Sequence, residues 1–237
     1  KKKTKLAYIL CAGEGRRLLP LTEFIPKPLL PILDKPMVFY VMDALHTAGV
    51  KKIVVNLHFH ARTLQKSLLL YAGKMFEMQF LHESTPLGTG GALRNARSCL
   101  KEPFFLVNAD FLPVGFSFEQ MEKSHKGLAT LAVRPMKSGE HYNPVGVNEQ
   151  GKIVRVNNVF GSGGKDHQFL GVHRLEPEAL EYLCDERVFP IFRGLYSRMF
   201  FSNRAINAHI CKNAFSGDLG TLSGYLEARE FLLAKFS

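Results

Sequence analysis

Two glycines and three cations crowd the stretch Leu10-Cys11-Ala12-Gly13-Glu14-Gly15-Arg16-Arg17-Leu18-Leu19-Pro20-Leu21-Thr22 and the Pro26-Lys27-Pro28 that follows it. Glycine lets backbone amides approach phosphate oxygens and adopt positive φ, while Arg16, Arg17 and Lys27 supply the charge that a triphosphate calls for. The spacing is neither Gly-x-Gly-x-x-Gly nor Gly-x4-Gly-Lys-Ser/Thr, which sets aside a dinucleotide fingerprint and a P-loop.

Such a loop needs a scaffold. Lys5 to Leu10 reads as a buried strand delivering it, and Pro36 to Ala48 as a helix ended by Gly49, with Pro36 suited to a first helical turn. Lys52 to Asn56, Met78 to Leu81 and Phe104 to Asn108 read as further strands; Phe59 to Tyr71 and Gly90 to Leu100 have helical spacing. This β-loop-α alternation predicts an α/β fold with a Rossmann-like, mainly parallel sheet sandwiched by helices. Ligands of such sheets bind beyond the carboxyl ends of the strands, where both the glycine loop and Asp110 fall, so the two are expected to converge.

After a helix over Ser117 to Lys126 the pattern changes. Ala129 to Arg134, Val145 to Asn148, Ile153 to Val156 and Phe169 to His173 read as short strands separated by Gly and Asn turns, a small antiparallel extension walling a substrate pocket. Pro177 to Leu183 and Leu222 to Lys235 read as helices, Ile206 to Cys211 as a strand, and Gly161 to Gly164 as a flexible loop. No linker or repeat divides the chain, so one domain over 1–237 is expected, with a nucleotide-binding half of about 1–127 and an acceptor-binding half of about 128–237.

With 237 residues, 46% apolar and 22% charged, the composition is that of an ordinary globular protein. No apolar run approaches the roughly 18 residues of a membrane span, and Lys1-Lys2-Lys3 leads too quickly into the glycine loop for a cleaved leader. A cytoplasmic location is expected. Cys11, Cys99, Cys184 and Cys211 are scattered without a Cys-x-x-Cys pair, which fits reduced thiols. His58-Phe59-His60 could offer two imidazoles to a metal, but hydrogen-bonded histidines are the simpler reading. The net charge of +10 invites a nucleic-acid partner, yet the basic residues are spread along the chain, so small anions are the expected partners, with neither nucleic acid nor membrane.

Leu-x-x-Gly-x-Gly-x-Arg-x-x-Pro-Leu-Thr followed by Pro-Lys-Pro resembles the signature of the sugar-1-phosphate nucleotidyltransferases. The resemblance implies a magnesium-dependent enzyme that couples a nucleoside triphosphate to a sugar 1-phosphate with release of pyrophosphate. It gives Arg17 the role of clamping the triphosphate and Lys27 that of neutralising the reacting phosphates. Leu10, Ala12, Gly13, Gly15 and Arg16 belong to the same nucleotide loop, although Arg16 stands where relatives often have a small hydroxyl residue. Asn108-Ala109-Asp110 resembles the family's Asn-Gly-Asp, and Gly217-Asp218-Leu219-Gly220-Thr221 its later Asp-x-Gly-Thr, which makes Asp110 and Asp218 the magnesium ligands; helix capping is the alternative for each. Glu83-Ser84-Thr85-Pro86-Leu87-Gly88-Thr89-Gly90-Gly91 resembles a Pro-Leu-Gly-Thr-Ala-Gly segment near the nucleobase, placing Glu83, Gly88 and Thr89 there. Glu83 reads equally as a base or ribose acceptor and as a helix-entry carboxylate, and Gly90-Gly91 could open a helix whose N-terminus favours anions.

Tyr142-Asn143-Pro144-Val145-Gly146-Val147 resembles a Tyr-Gly-Val region that abuts the sugar, which assigns Asn143 and Gly146 to the acceptor. One departure stands out. Relatives commonly have Glu-Lys-Pro after the strand of Ile153 to Val156, whereas this chain has Asn157-Asn158-Val159 and no lysine until Lys165. Either Asn157, Asn158 or Lys165 holds the sugar phosphate, or activity is lost. The compact form resembles the single-domain uridylyltransferases, including those acting on N-acetylmuramic acid 1-phosphate. UTP is therefore the favoured nucleotide, dTTP the next, and oligomeric state is open. The alternatives are a phosphocholine cytidylyltransferase-like enzyme, marked by an aromatic cage, and a non-catalytic nucleotide-binding regulator of the same fold.

Overall fold

The computed structural model describes residues 3–136, 140 and 143–236; Tyr142 lies outside them. In chain order the strands and helices are β1 (Leu6–Leu10), β2 (Pro31–Ile32), β3 (Lys35–Pro36), α1 (Met37–Thr47), β4 (Lys52–Leu57), α2 (Ala61–Ala72), β5 (Glu77–His82), α3 (Gly88–Asn95) and β6 (Phe104–Asn108). There follow α4 (Phe118–Ser124), β7 (Ala129–Pro135), β8 (Val145–Val147), β9 (Ile153–Val156), β10 (Phe160–Gly161), β11 (Lys165–Leu175), α5 (Ser197–Phe201), β12 (Ile206–Ile210) and α6 (Leu222–Phe236). Among the described residues no helix is long and apolar enough to cross a membrane.

Strands β6, β1, β4 and β5 lie side by side and parallel. The near-continuous apolar sequences of β1, β4 and β6 follow from burial on both faces, whereas β5, at the sheet edge, alternates. Leu6 and Tyr8 face a core shared with Ala92 and Leu93 of α3, while Ala7 and Ile9 face one shared with Val38 and Met42 of α1 and Leu64 of α2. Pro36 precedes α1 as its cap and closes the small β2–β3 hairpin, so the expected helix start moves by one residue.

The antiparallel extension is continuous with this sheet. β11 pairs antiparallel with β6 through Val172–Leu175, with β8 through Lys165–His167 and with β7 along most of its length; β12 adds to β7 in parallel. The register of β11 against β7 shifts between Phe169 and His173, and Gly171 there has φ +81°. A Cβ on Gly171 would lie 3.1 Å from the Asn108 side chain. Only glycine fits this bulge, which bends the strand against the end of β6.

A third apolar cluster sits under α6, where Leu18, Ile32, Leu112, Phe215, Leu219 and Leu232 are buried together. It anchors the glycine loop to the distant 215–220 segment.

Candidate active site

The end of β1 passes into the glycine loop and the end of β6 into Ala109-Asp110, and Ala109 donates its backbone N–H to the Leu10 carbonyl over 3.2 Å. A cavity of about 240 Å³ opens there, lined by Leu10, Ala12 and Gly13, by Glu83, Gly88 and Thr89, and by Lys27 and Asp110. One buried chain of hydrogen bonds ties its walls together. Cys11 N–H donates to Asn56 Oδ1 (2.7 Å), Asn56 Nδ2 to Glu83 Oε1 (2.8 Å) and Leu87 N–H to Glu83 Oε2 (3.1 Å). Glu83 is thus a structural carboxylate that also borders the cavity. Burial first, and then the charge of Asp110, raise the Cys11 thiol above its ordinary pKa, so it stays protonated.

Gly90 and Gly91 do not present free amides. Helix α3 opens at Gly88, and Gly90 and Gly91 donate to the Phe189 carbonyl over 2.9 and 3.3 Å. A Cβ on Gly90 would collide with the Phe189 ring, and one on Gly91 with the Arg187 carbonyl. The glycines therefore admit the 187–189 segment rather than an anion. Thr89 Oγ1 accepts from Ile191 N–H at 2.9 Å, holding the same segment.

Lys27 Nζ forms an ion pair with Asp110 Oδ2, and Arg17 donates through one guanidinium nitrogen to Asp218 Oδ2 at 2.8 Å. The two pairs are neighbours: a Cβ on Gly220 would lie 2.5 Å from Arg17, 2.9 Å from Asp218 Oδ1 and 3.1 Å from Lys27 Nζ. Burial by itself would raise the pKa of Asp218. Hydrogen bonds from Arg17 and Gly220 and the charges of Arg17 and Lys27 outweigh it and hold the carboxyl below its usual value. Gly15 takes φ +69°, and Thr22 donates to its carbonyl over 2.9 Å, closing the loop on itself. Arg16 is exposed and pairs with Glu14; Gly15, Arg16 and Arg17 line neither cavity, and Arg17 meets the larger one only through its bond to Asp218.

A second cavity, of about 740 Å³, adjoins the first, since Asn108 and Asp110 border both. Asn143, Asn157 and Asn158 lie in its wall with Asp218, and Arg155 donates to Asn157 Oδ1 at 2.9 Å. Gly146 and Lys165 do not line it. They face each other's strands across the β8–β11 ladder, where the Gly163 carbonyl and the Arg155 side chain fill the space a Cβ on Gly146 would need. Sequence reasoning missed Gln168, Phe169, Phe192, Arg193 and Phe201, all in this wall. No local motif marks them, because a bulge and a π-wound turn at Phe192–Tyr196 bring them in. His58 and His60 hydrogen-bond the carbonyls of Glu83 (2.8 Å) and Glu23 (3.0 Å).

Residues 6–158 match the family model described as nucleotidyl transferase. The chain belongs to the nucleotidyl transferase family. Among curated nucleotidyl transferases, the mannose-1-phosphate guanylyltransferase catalytic subunit beta of Drosophila pseudoobscura pseudoobscura is 36% identical over 154 residues, 62% of this chain and 41% of that one. The same-named protein of Dictyostelium discoideum is 34% identical over 156 residues, 63% of this chain and 43% of its own. The chain thus spans about two fifths of the length of these relatives. Among solved structures, a UDP-glucose pyrophosphorylase complexed with UDP-glucose superposes with a TM-score of 0.79 at 20% identity, covering 98% of this chain and 99% of the other. An inositol-1-phosphate CTP transferase from T. maritima gives 0.81 at 18% identity, with 97% and 96% covered. At such identities these structures speak for the shared α/β fold alone.

Proposed function

We propose that the protein transfers a nucleotidyl group from a nucleoside triphosphate to a sugar 1-phosphate, with release of pyrophosphate. The observation that carries this reading is the junction at Asp110, where a smaller and a larger cavity meet beside Lys27. The triphosphate occupies the smaller cavity and the acceptor the larger. A phosphate oxygen of the acceptor attacks the α-phosphorus in line, a new P–O bond forms, and the bridging bond to the β-phosphate breaks with its electron pair leaving on pyrophosphate. No protein nucleophile takes part. Lys27 and Arg17 offset the charge that builds on the α- and β-phosphates, and the cavity walls hold the reactants aligned.

Asp110 and Asp218 would hold a magnesium ion with waters and phosphate oxygens completing its coordination. The donor set fits: two hard carboxylates, Asp110 and Asp218, border one cavity. Bound there, the ion would neutralise phosphate charge. Lys27 pairs with Asp110 and Arg17 with Asp218, so each carboxylate also stands beside a cation.

GTP replaces UTP as the favoured nucleotide. The curated relatives named above are guanylyltransferases, at 36% and 34% identity over 154 and 156 residues. Glu83 is compatible with this, because its carboxyl oxygens can accept beyond the bonds from Asn56 and Leu87 and guanine presents N–H donors. A pyrophosphate-release screen of GTP, UTP, CTP and dTTP against a panel of sugar 1-phosphates, mannose 1-phosphate among them, tests the reading. Release that needs both substrates and is fastest with GTP supports it; triphosphate binding without release would make the protein a nucleotide-binding regulator instead.

A further inference from the structure

Among the described residues, the charged side chains in the wall of the larger cavity are Asp110, Asp218 and Arg193. Lys27 and Arg17 already pair with the two carboxylates, and neither of them lines this cavity. An acceptor that brings a phosphate into such a wall meets two like charges and one opposite one. We propose that Arg193 binds the phosphate of the acceptor, exchanging its carboxylate partner Glu186 for it, an inference that rests on the nucleotidyl-transfer reading.

The backbone of Arg193 is fixed, whereas its side chain is free to change partners. Arg193 lies in the π-wound turn Phe192–Tyr196. Ile191 donates its N–H to Thr89 Oγ1 at 2.9 Å, Gly194 to the Pro190 carbonyl at 3.0 Å, and the Ser197 hydroxyl to the Arg193 carbonyl itself. Phe192 beside it packs edge to face on Phe169 with centroids 5.3 Å apart. The arginine side chain, by contrast, is 62% exposed and meets Glu186 Oε2 at 2.6 Å through one guanidinium nitrogen. Glu186 is itself exposed and stands outside the cavity wall.

Solvent screens an exposed ion pair, so Glu186 holds the guanidinium only weakly. A phosphate is the stronger partner. Its oxygens can take two parallel bonds from the guanidinium fork, and it carries more charge than a carboxylate. Asn143, Asn157 and Asn158 in the same wall supply dipoles but no charge. The Glu186 pair thus keeps a cation beside the wall until a phosphate competes for it.

Steady-state kinetics with the triphosphate and sugar 1-phosphate that release pyrophosphate fastest test the exchange. Arg193→Ala should raise the KM for the sugar phosphate by about tenfold or more, the loss expected when charge-assisted hydrogen bonds are removed, while the KM for the triphosphate holds. Arg193→Lys should recover part of that loss. Glu186→Gln should lower the acceptor KM, because it releases the same cation. A pair that served folding alone would move the Arg193→Ala and Glu186→Gln variants in the same direction. An unchanged acceptor KM in Arg193→Ala, an equal rise in the KM of both substrates, or a raised acceptor KM in Glu186→Gln would overturn the proposal and leave nucleotidyl transfer standing. No pyrophosphate from the wild type with any acceptor would overturn both.

Discussion

Arg17 donates to Asp218 over 2.8 Å although 201 positions separate them in the chain. Their neighbours explain the meeting. Leu18 and Leu219 are buried in the same apolar cluster beneath α6, so hydrophobic packing brings Arg17 to Asp218, which lines the larger cavity.

Gly220 is the hinge of that arrangement. A Cβ there meets the far end of Arg17 at 2.5 Å and crowds Asp218 and Lys27. Because the nearest atom is the tip of a flexible side chain, Gly220→Ala should change folding stability by less than about 1 kcal/mol. Displacing the cations should lower turnover by roughly 10- to 100-fold. Steady-state kinetics beside a denaturant melt would show the split; unchanged turnover would mean that Arg17 and Lys27 need not stand where they do.

Lys27 is mostly buried and paired with Asp110. Lys27→Ala should cut kcat by about 100-fold or more, the usual loss on removing one transition-state stabiliser, with the circular dichroism spectrum retained. Near-normal turnover would remove Lys27 from the chemistry.

Gly88 has φ +70°, and a Cβ there would sit 2.8 Å from the backbone carbonyl of Phe189. Backbone cannot yield as a side chain can, so Gly88→Ala should destabilise the fold by about 1–3 kcal/mol, read as a lower urea midpoint. A midpoint at the wild-type value would show that the 187–189 segment is free to move.

Glu122 answers to pH. Burial would raise its pKa, but hydrogen bonds from Arg174 and Thr4, with the charges of Arg174 and His125, lower it below the ordinary 4.5. A carboxylate depressed in the folded state binds fewer protons there than in the unfolded chain. Its stabilisation is therefore complete above about pH 4.5 and lost as pH falls through the lower folded value. Thermal melts from pH 6 down to pH 3 should show a steeper acid loss in the wild type than in Glu122→Gln; parallel curves would count against the ion pair.

The sequence made the nucleotide side legible and the acceptor side opaque, for a physical reason. Leu10, Gly13, Lys27 and Asp110 lie in contiguous motifs at strand ends, and parallel pairing of β1 with β6 brings strand ends together. Phe169, Phe192, Arg193 and Phe201 reach their cavity through the β11 bulge and a π-wound turn, neither of which leaves a period in the sequence. Of the three candidates for the sugar phosphate, Asn157 and Asn158 line the larger cavity, while the ladder between β8 and β11 keeps Lys165 out of its wall. Gly90 and Gly91 resembled an anion-binding helix start, and only tertiary contact with Phe189 shows what their missing side chains make room for.

The central claim is that Asp110 marks the point where triphosphate and acceptor react. Phosphorus NMR of a mixture of GTP, a sugar 1-phosphate and magnesium, followed with the wild type and with Asp110→Asn at equal folded concentration, tests it most directly. Pyrophosphate and a nucleotide-diphosphate sugar should appear together with the wild type, and at least about 100-fold more slowly with the variant. Equal rates in the two proteins, or nucleoside diphosphate and inorganic phosphate as the only products, would contradict it.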